Sequence, residues 1–105
     1  MIGKRKIKIG GNSYSLIFTW GAIAKFCKET GVGLSSLKDS LDNPDNLTTL
    51  IIHLAHQAGE ELKREEIEKC SFFEISKALE VIGDLMEEAA GSETAPEEEG
   101  KGQGD

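Results

Sequence analysis

An α+β domain is expected from this chain: an N-terminal β-hairpin packed on a small bundle of four to five helices, followed by a disordered acidic C-terminal tail. Three features lead there. Lys4–Ile9 and Ser13–Phe18 alternate apolar and polar side chains on either side of a glycine pair, the period of half-buried strands. From Trp20 onward, apolar residues recur every three or four positions, the period of amphipathic helices. After Gly91 the chain holds glycine, glutamate and proline without apolar anchors, a composition that cannot offset the entropy of ordering. The domain is therefore placed at residues 1–90 and the tail at 91–105 of 105 residues, a length suited to one domain.

In the first strand Ile7 and Ile9 share a face, while Lys4, Lys6 and Lys8 share the other. Such lysines mark a solvated edge strand guarded against aggregation. Gly10-Gly11-Asn12 has turn chemistry, and the return strand puts Tyr14, Leu16 and Phe18 on one face. Thr19 then stands where a helix N-cap belongs. A helix is expected over Trp20–Thr30, with Gly31 as its stop. The stretch from Ser13 to Gly31 holds Tyr14, Phe18, Trp20 and Phe26, and the rest of the chain is expected to fold around it with neither face left in water.

Leu34, Leu37 and Leu41 predict a short second helix over Val32–Leu41. Asp42-Asn43-Pro44-Asp45 ends it, because proline disfavours helix in the residue before it. A third helix starts near Pro44–Asn46 and carries Leu47, Leu50, Ile51, Leu54, Ala55 and Ala58 as a stripe up to Gly59. Glu60–Lys63 is a connection, and Arg64–Lys69 a short helix with Ile67 inward. Ser71-Phe72-Phe73-Glu74 has the form of a capping box. It opens a last helix from Phe72 to about Ala90, lined by Phe72, Ile75, Ala78, Leu79, Ile82, Leu85 and Met86. Gly83 weakens that helix by about 1 kcal/mol relative to alanine.

The net charge is −7, and residues 91–105, with five acids against Lys101, hold −4 of it. A chain without a basic face is a poor nucleic-acid binder, since phosphate contacts supply most of that affinity. No window approaches ~18 uninterrupted apolar residues, and no apolar run follows the basic residues near Met1. No membrane association is expected, and the cytoplasm is the default location. Cys27 and Cys70 are far apart in helical patterns and are expected as buried thiols.

Two short motifs suggest chemistry. His53, His56 and Glu60 share a helical face, as metal ligands would, but no acid lies between the histidines and no third strong ligand is identifiable. They are expected to be polar-face residues. Asp39-Ser40-Leu41-Asp42 resembles the Asp-Ser-Leu signature of acyl carrier proteins, in which the serine carries phosphopantetheine at the start of a helix. Here Ser40 falls at a helix end, with Asn43-Pro44 close behind. Nothing supplies an orienting base for a nucleophile. Neither a catalytic constellation nor a cofactor is expected.

The run from Lys6 to Gly31, with Tyr14, Leu16, Phe18, Ala22, Glu29 and Gly31, resembles the N-terminus of the tail assembly chaperones of long-tailed bacteriophages. A leucine-rich short helix, an apolar helix and Leu62-Lys-Arg-Glu65-Glu66-Ile67 follow in the same order, so the resemblance covers about residues 6–88. It implies a non-enzymatic protein of a phage or prophage in the bacterial cytoplasm. Its partners would be the tape measure protein, a long apolar helical chain, and the tail tube subunits it recruits. Self-association is a further expectation. Two alternatives stand beside it: a small structural head–tail connector or tail component, and an acyl-carrier-like protein modified at Ser40. On the chaperone reading, apolar residues of the third and last helices, Leu50, Leu54, Leu79, Ile82 and Met86, bind the client or another copy by helix-in-groove contacts.

Overall fold

The computed structural model describes residues 4–94. An N-terminal β-hairpin packs against a small helical bundle, as the sequence pattern implies. Strands β1 (Lys4–Ile9) and β2 (Asn12–Ile17) pair antiparallel, in a register running from Lys4 opposite Ile17 to Ile9 opposite Asn12. Gly10 and Gly11 take φ of 62° and 86°. Two consecutive left-handed residues give a tight turn whose twist matches that of the strands, and side chains rarely adopt them.

Helix α1 covers Trp20–Thr30. Thr19 Oγ1 accepts the Ala22 N–H at 3.1 Å, and Gly31 ends the helix at φ 78°. The single helix expected over Val32–Leu41 is instead a 3-10 turn, Leu34–Ser36, leading into a one-turn helix α2, Leu37–Ser40. Only Leu37 and Leu41 of the leucine repeat are buried, and Leu34 is 55% exposed. One turn of anchored side chains cannot hold a longer helix, since most helical stability comes from tertiary packing.

Helix α3, Pro44–Gln57, starts where expected. Proline sits in its first turn, where the missing N–H costs nothing, and Asn43 Oδ1 accepts the N–H groups of Asp45 and Asn46 at 2.8 and 3.2 Å. Helix α4 spans Arg64–Lys69 and α5 spans Phe72–Thr94. The helix thus runs past the end expected at Ala90 and into the segment assigned to the tail. Residues 95–105 of that expected tail lie outside the described residues.

The core joins Ile7, Ile9 and Leu16 of the hairpin to Phe26 of α1, to Leu50, Ile51 and Leu54 of α3, and to Ala78, Ile82 and Leu85 of α5. Phe26, Leu50, Leu54 and Ile82 are fully enclosed. The aromatic cluster is less central than expected. Phe26 is buried and Tyr14 and Phe18 pack at the margin, but Trp20 is 69% exposed. It occupies the first position of α1, while Ile23 and Phe26, three and six residues on, are buried. Cys27 and Cys70 are free and half-buried against the core rather than within it. Burial, then the neighbouring Glu74 carboxylate, pushes the Cys70 thiol up from its ordinary pKa.

Four carboxylates seat the hairpin. Glu60 Oε2 accepts the Ser15 N–H at 2.6 Å. Glu66 Oε1 accepts the Tyr14 hydroxyl at 2.9 Å, which holds the phenol above its usual pKa. Glu88 pairs with Arg5. Glu74 Oε1 and Oε2 accept the N–H groups of Gly10 and Gly11 at 2.9 and 3.3 Å. The expected capping box is therefore half formed. Ser71 Oγ accepts the Glu74 N–H at 3.1 Å, while the Glu74 carboxylate clamps the hairpin turn.

Candidate functional site: an apolar groove beside helix α5

Residues of α5 turn by about 100° each, so a wide apolar arc can face two neighbours at once. Its inner strip is Ala78, Ile82 and Leu85, all fully buried. Phe72, Ile75 and Leu79 lie to one side of that strip and form one wall of a groove of about 440 Å³. Leu41, Pro44 and Leu47, from the α2–α3 connection and α3, form the facing wall, and Ile67 of α4 contributes beside them. Asp42 and Glu68, both exposed, stand among the lining residues and make the charge there negative.

Phe72 is 85% exposed and Leu79 is 39% exposed. A large aromatic side chain held in water beside further apolar surface is a feature of interaction sites rather than of inert surface. Phe72 was expected on the inner face of the last helix. It stands outside instead, because it occupies the first turn, ahead of the strip that meets the sheet. The adjacent Phe73 is 68% exposed on a different side. Two consecutive aromatics at a helix start point about 100° apart, and here neither lies along the inner strip. That doublet was the signal in the sequence.

The five residues expected to bind a partner separate in the structure. Leu50, Leu54 and Ile82 are fully buried core side chains, which a partner reaches only if the domain opens. Leu79 lines the groove. Met86 is half-buried and lies with Lys38, Gly83 and Glu87 at a smaller depression of about 310 Å³. Leu41, Pro44, Leu47, Ile67, Phe72 and Ile75 were not singled out, because their convergence depends on how α2, α3, α4 and α5 meet.

The two short motifs take separate places. His53 Nε2 lies 2.8 Å from Glu29 of α1, while His56 Nε2 faces the Leu62 carbonyl at 3.3 Å. Among the described residues no group of three His, Cys, Asp or Glu could hold a metal ion. Ser40 is half-buried at the last position of α2, and its Oγ donates to the Leu37 carbonyl at 2.6 Å. No helix among the described residues is long and apolar enough to cross a membrane.

No family model, curated protein or solved structure matches this chain. The bacteriophage, prophage and tail-assembly labels expected from the N-terminal resemblance are corrected on that finding, which leaves them without support. In the structure the residues of that pattern serve the scaffold. Leu16 and Ala22 are fully buried, Tyr14 bonds Glu66, and Gly31 supplies the left-handed helix stop. Any hairpin feeding a capped helix calls for such residues.

Proposed function

We propose that this protein is a non-enzymatic holding module whose groove beside α5 takes the apolar face of a helical segment in another chain. One observation carries the reading: Phe72 stands 85% exposed at the edge of an apolar groove built from α3, α4, α5 and the α2–α3 connection. A helix lying there would place residues at i, i+3, i+4 and i+7 against Phe72, Ile75 and Leu79 on one side and Leu41, Pro44 and Leu47 on the other. Asp42 and Glu68 favour basic residues flanking that apolar face, and the net charge of −7 steers such a segment in. No bond is made or broken. The work is reversible cover for a surface that would otherwise aggregate.

The test is fluorescence anisotropy with a labelled amphipathic helical peptide, leucine and phenylalanine on one face and lysine at both ends. Phe72→Ser and Leu79→Ser are each expected to weaken binding at least ~10-fold, which is about 1.4 kcal/mol at an interface anchor. Glu68→Lys is expected to weaken it less, and mainly at low salt. Co-expression with an aggregation-prone fragment carrying such an amphipathic helix provides the cellular counterpart. A fragment no more soluble with the protein than without it, together with peptide binding indifferent to Phe72→Ser, refutes the reading.

A further inference from the structure

A second surface that no described residue covers lies on the opposite flank of α5, and it has the form of an open strand position. Among the described residues the sheet has two strands, β1 and β2. Lys6 stands opposite Ser15 in the register, and the Ser15 N–H leaves the sheet to reach Glu60. In an antiparallel ladder such a pair directs its backbone groups away from each other. The Lys6 N–H and C=O therefore point outward along the far edge of β1, and by alternation so do those of Lys4 and Lys8. No described residue bonds them.

Beside that edge runs a groove of about 400 Å³ lined by Lys6, Ile7, Lys8, Phe73, Lys77 and Val81, together with Ser71 and Glu74. Phe73 is 68% exposed, with Lys77 Nζ lying 5.5 Å from its ring centroid. The Glu74 carboxylate is already engaged by Gly10 and Gly11. A third strand laid along β1 would cover Phe73 and Val81 with one face. Its other face would lie beside Lys4, Lys6 and Lys8, since alternate residues point to opposite sides.

From this geometry we infer that the outer edge of β1 accepts an extended segment of a partner protein in which acidic and apolar residues alternate. Charge selects that occupant. A second copy pairing β1 against β1 would bring Lys4, Lys6 and Lys8 of each chain together on one face, and like charges across strands oppose pairing. An acidic strand gains the same backbone bonds with the lysines in its favour, and its apolar residues cover the Phe73 side of α5. The lysines guard the edge against most chains and leave it open to one class. This inference does not depend on the helix-binding groove, which uses other residues.

The probe is a labelled peptide of alternating glutamate and valine, with an alternating lysine and valine peptide as comparison. Amide exchange is followed by NMR on the full chain. The acidic peptide is expected to slow exchange of the Lys6 and Lys8 amides at least ~10-fold, the factor that a 1.4 kcal/mol difference represents, and the basic peptide to leave them unchanged. Lys6→Glu is expected to abolish the effect, and so is N-methylation of the peptide amides that face β1. Binding that leaves Lys6 and Lys8 exchange unchanged is contact by charge alone and overturns the inference. Slow exchange already present in the free monomer shows the chain's own residues on the edge, and slow exchange that grows with protein concentration shows a second copy. Either result also overturns it.

Discussion

Replacing Leu50 and Phe72 in parallel separates core from interaction surface. Leu50 is fully enclosed in the cluster that joins α3 to α1, α5 and the hairpin. Leu50→Ala removes the transfer free energy of its buried carbons and leaves a cavity, for which about 3 kcal/mol is a central value. In a domain of this size each kcal/mol moves Tm by about 4–8 °C, so a fall of about 12–24 °C is expected. Phe72 is 85% exposed, so Phe72→Ser removes little packing and should change stability by no more than about 0.5 kcal/mol. The assay is thermal melting by circular dichroism, with peptide anisotropy on the same samples well below both midpoints. Leu50→Ala should melt early yet bind normally while folded, whereas Phe72→Ser should melt normally and bind poorly. The reverse pattern, with Leu50→Ala unchanged in Tm but deficient in binding, would show that Leu50 meets the partner and that the core assignment of α3 is wrong.

Three further outcomes are expected. Gly31→Ala forces a side chain into φ 78° with no neighbour within 4 Å of the added carbon, so backbone strain alone should cost about 1–2 kcal/mol in urea melts, and Gly31→Asn less. Asn43→Ala removes the acceptor for two N–H groups at the start of α3 and should cost about 1 kcal/mol by the same measurement. The Glu74 carboxyl is held below its ordinary pKa first by the Gly10 N–H, with Gly11, Ser71 and Lys8 adding to it. A carboxylate depressed in the folded state stabilises above its unfolded pKa, and that contribution is lost as pH falls through the lower folded value. Urea melts of the natural chain and Glu74→Gln should therefore differ at neutral pH and converge on acidification; a gap that persists or widens in acid contradicts the clamp on the hairpin turn.

Local chemistry makes most elements legible in the chain itself. Gly10-Gly11, Thr19, Gly31, Asn43-Pro44 and Ser71 each fix a turn or a helix end through their own backbone preferences or through a hydrogen bond within three residues. The boundaries of β1, α1 and α4 accordingly stand where the pattern placed them. The leucine repeat at Leu34, Leu37 and Leu41 misled because periodicity marks a face without saying whether anything covers it. Half of the capping box was misread for a related reason: the Glu74 carboxylate reaches glycines more than sixty residues away, which no local motif encodes.

The candidate groove was barely visible in the chain itself. The apolar period of the last helix made Phe72, Leu79 and Ile82 equivalent members of one stripe. Packing made Ile82 fully buried, Leu79 a groove wall, and Phe72 an exposed anchor. Residues alone settled the turn at Gly10-Gly11 and the helix ends at Thr19, Gly31 and Asn43, because those choices are made within one turn of chain. Which apolar surfaces stay uncovered was decided only when α2, α3, α4 and α5 came together, because exposure belongs to the gap between elements and not to any one of them.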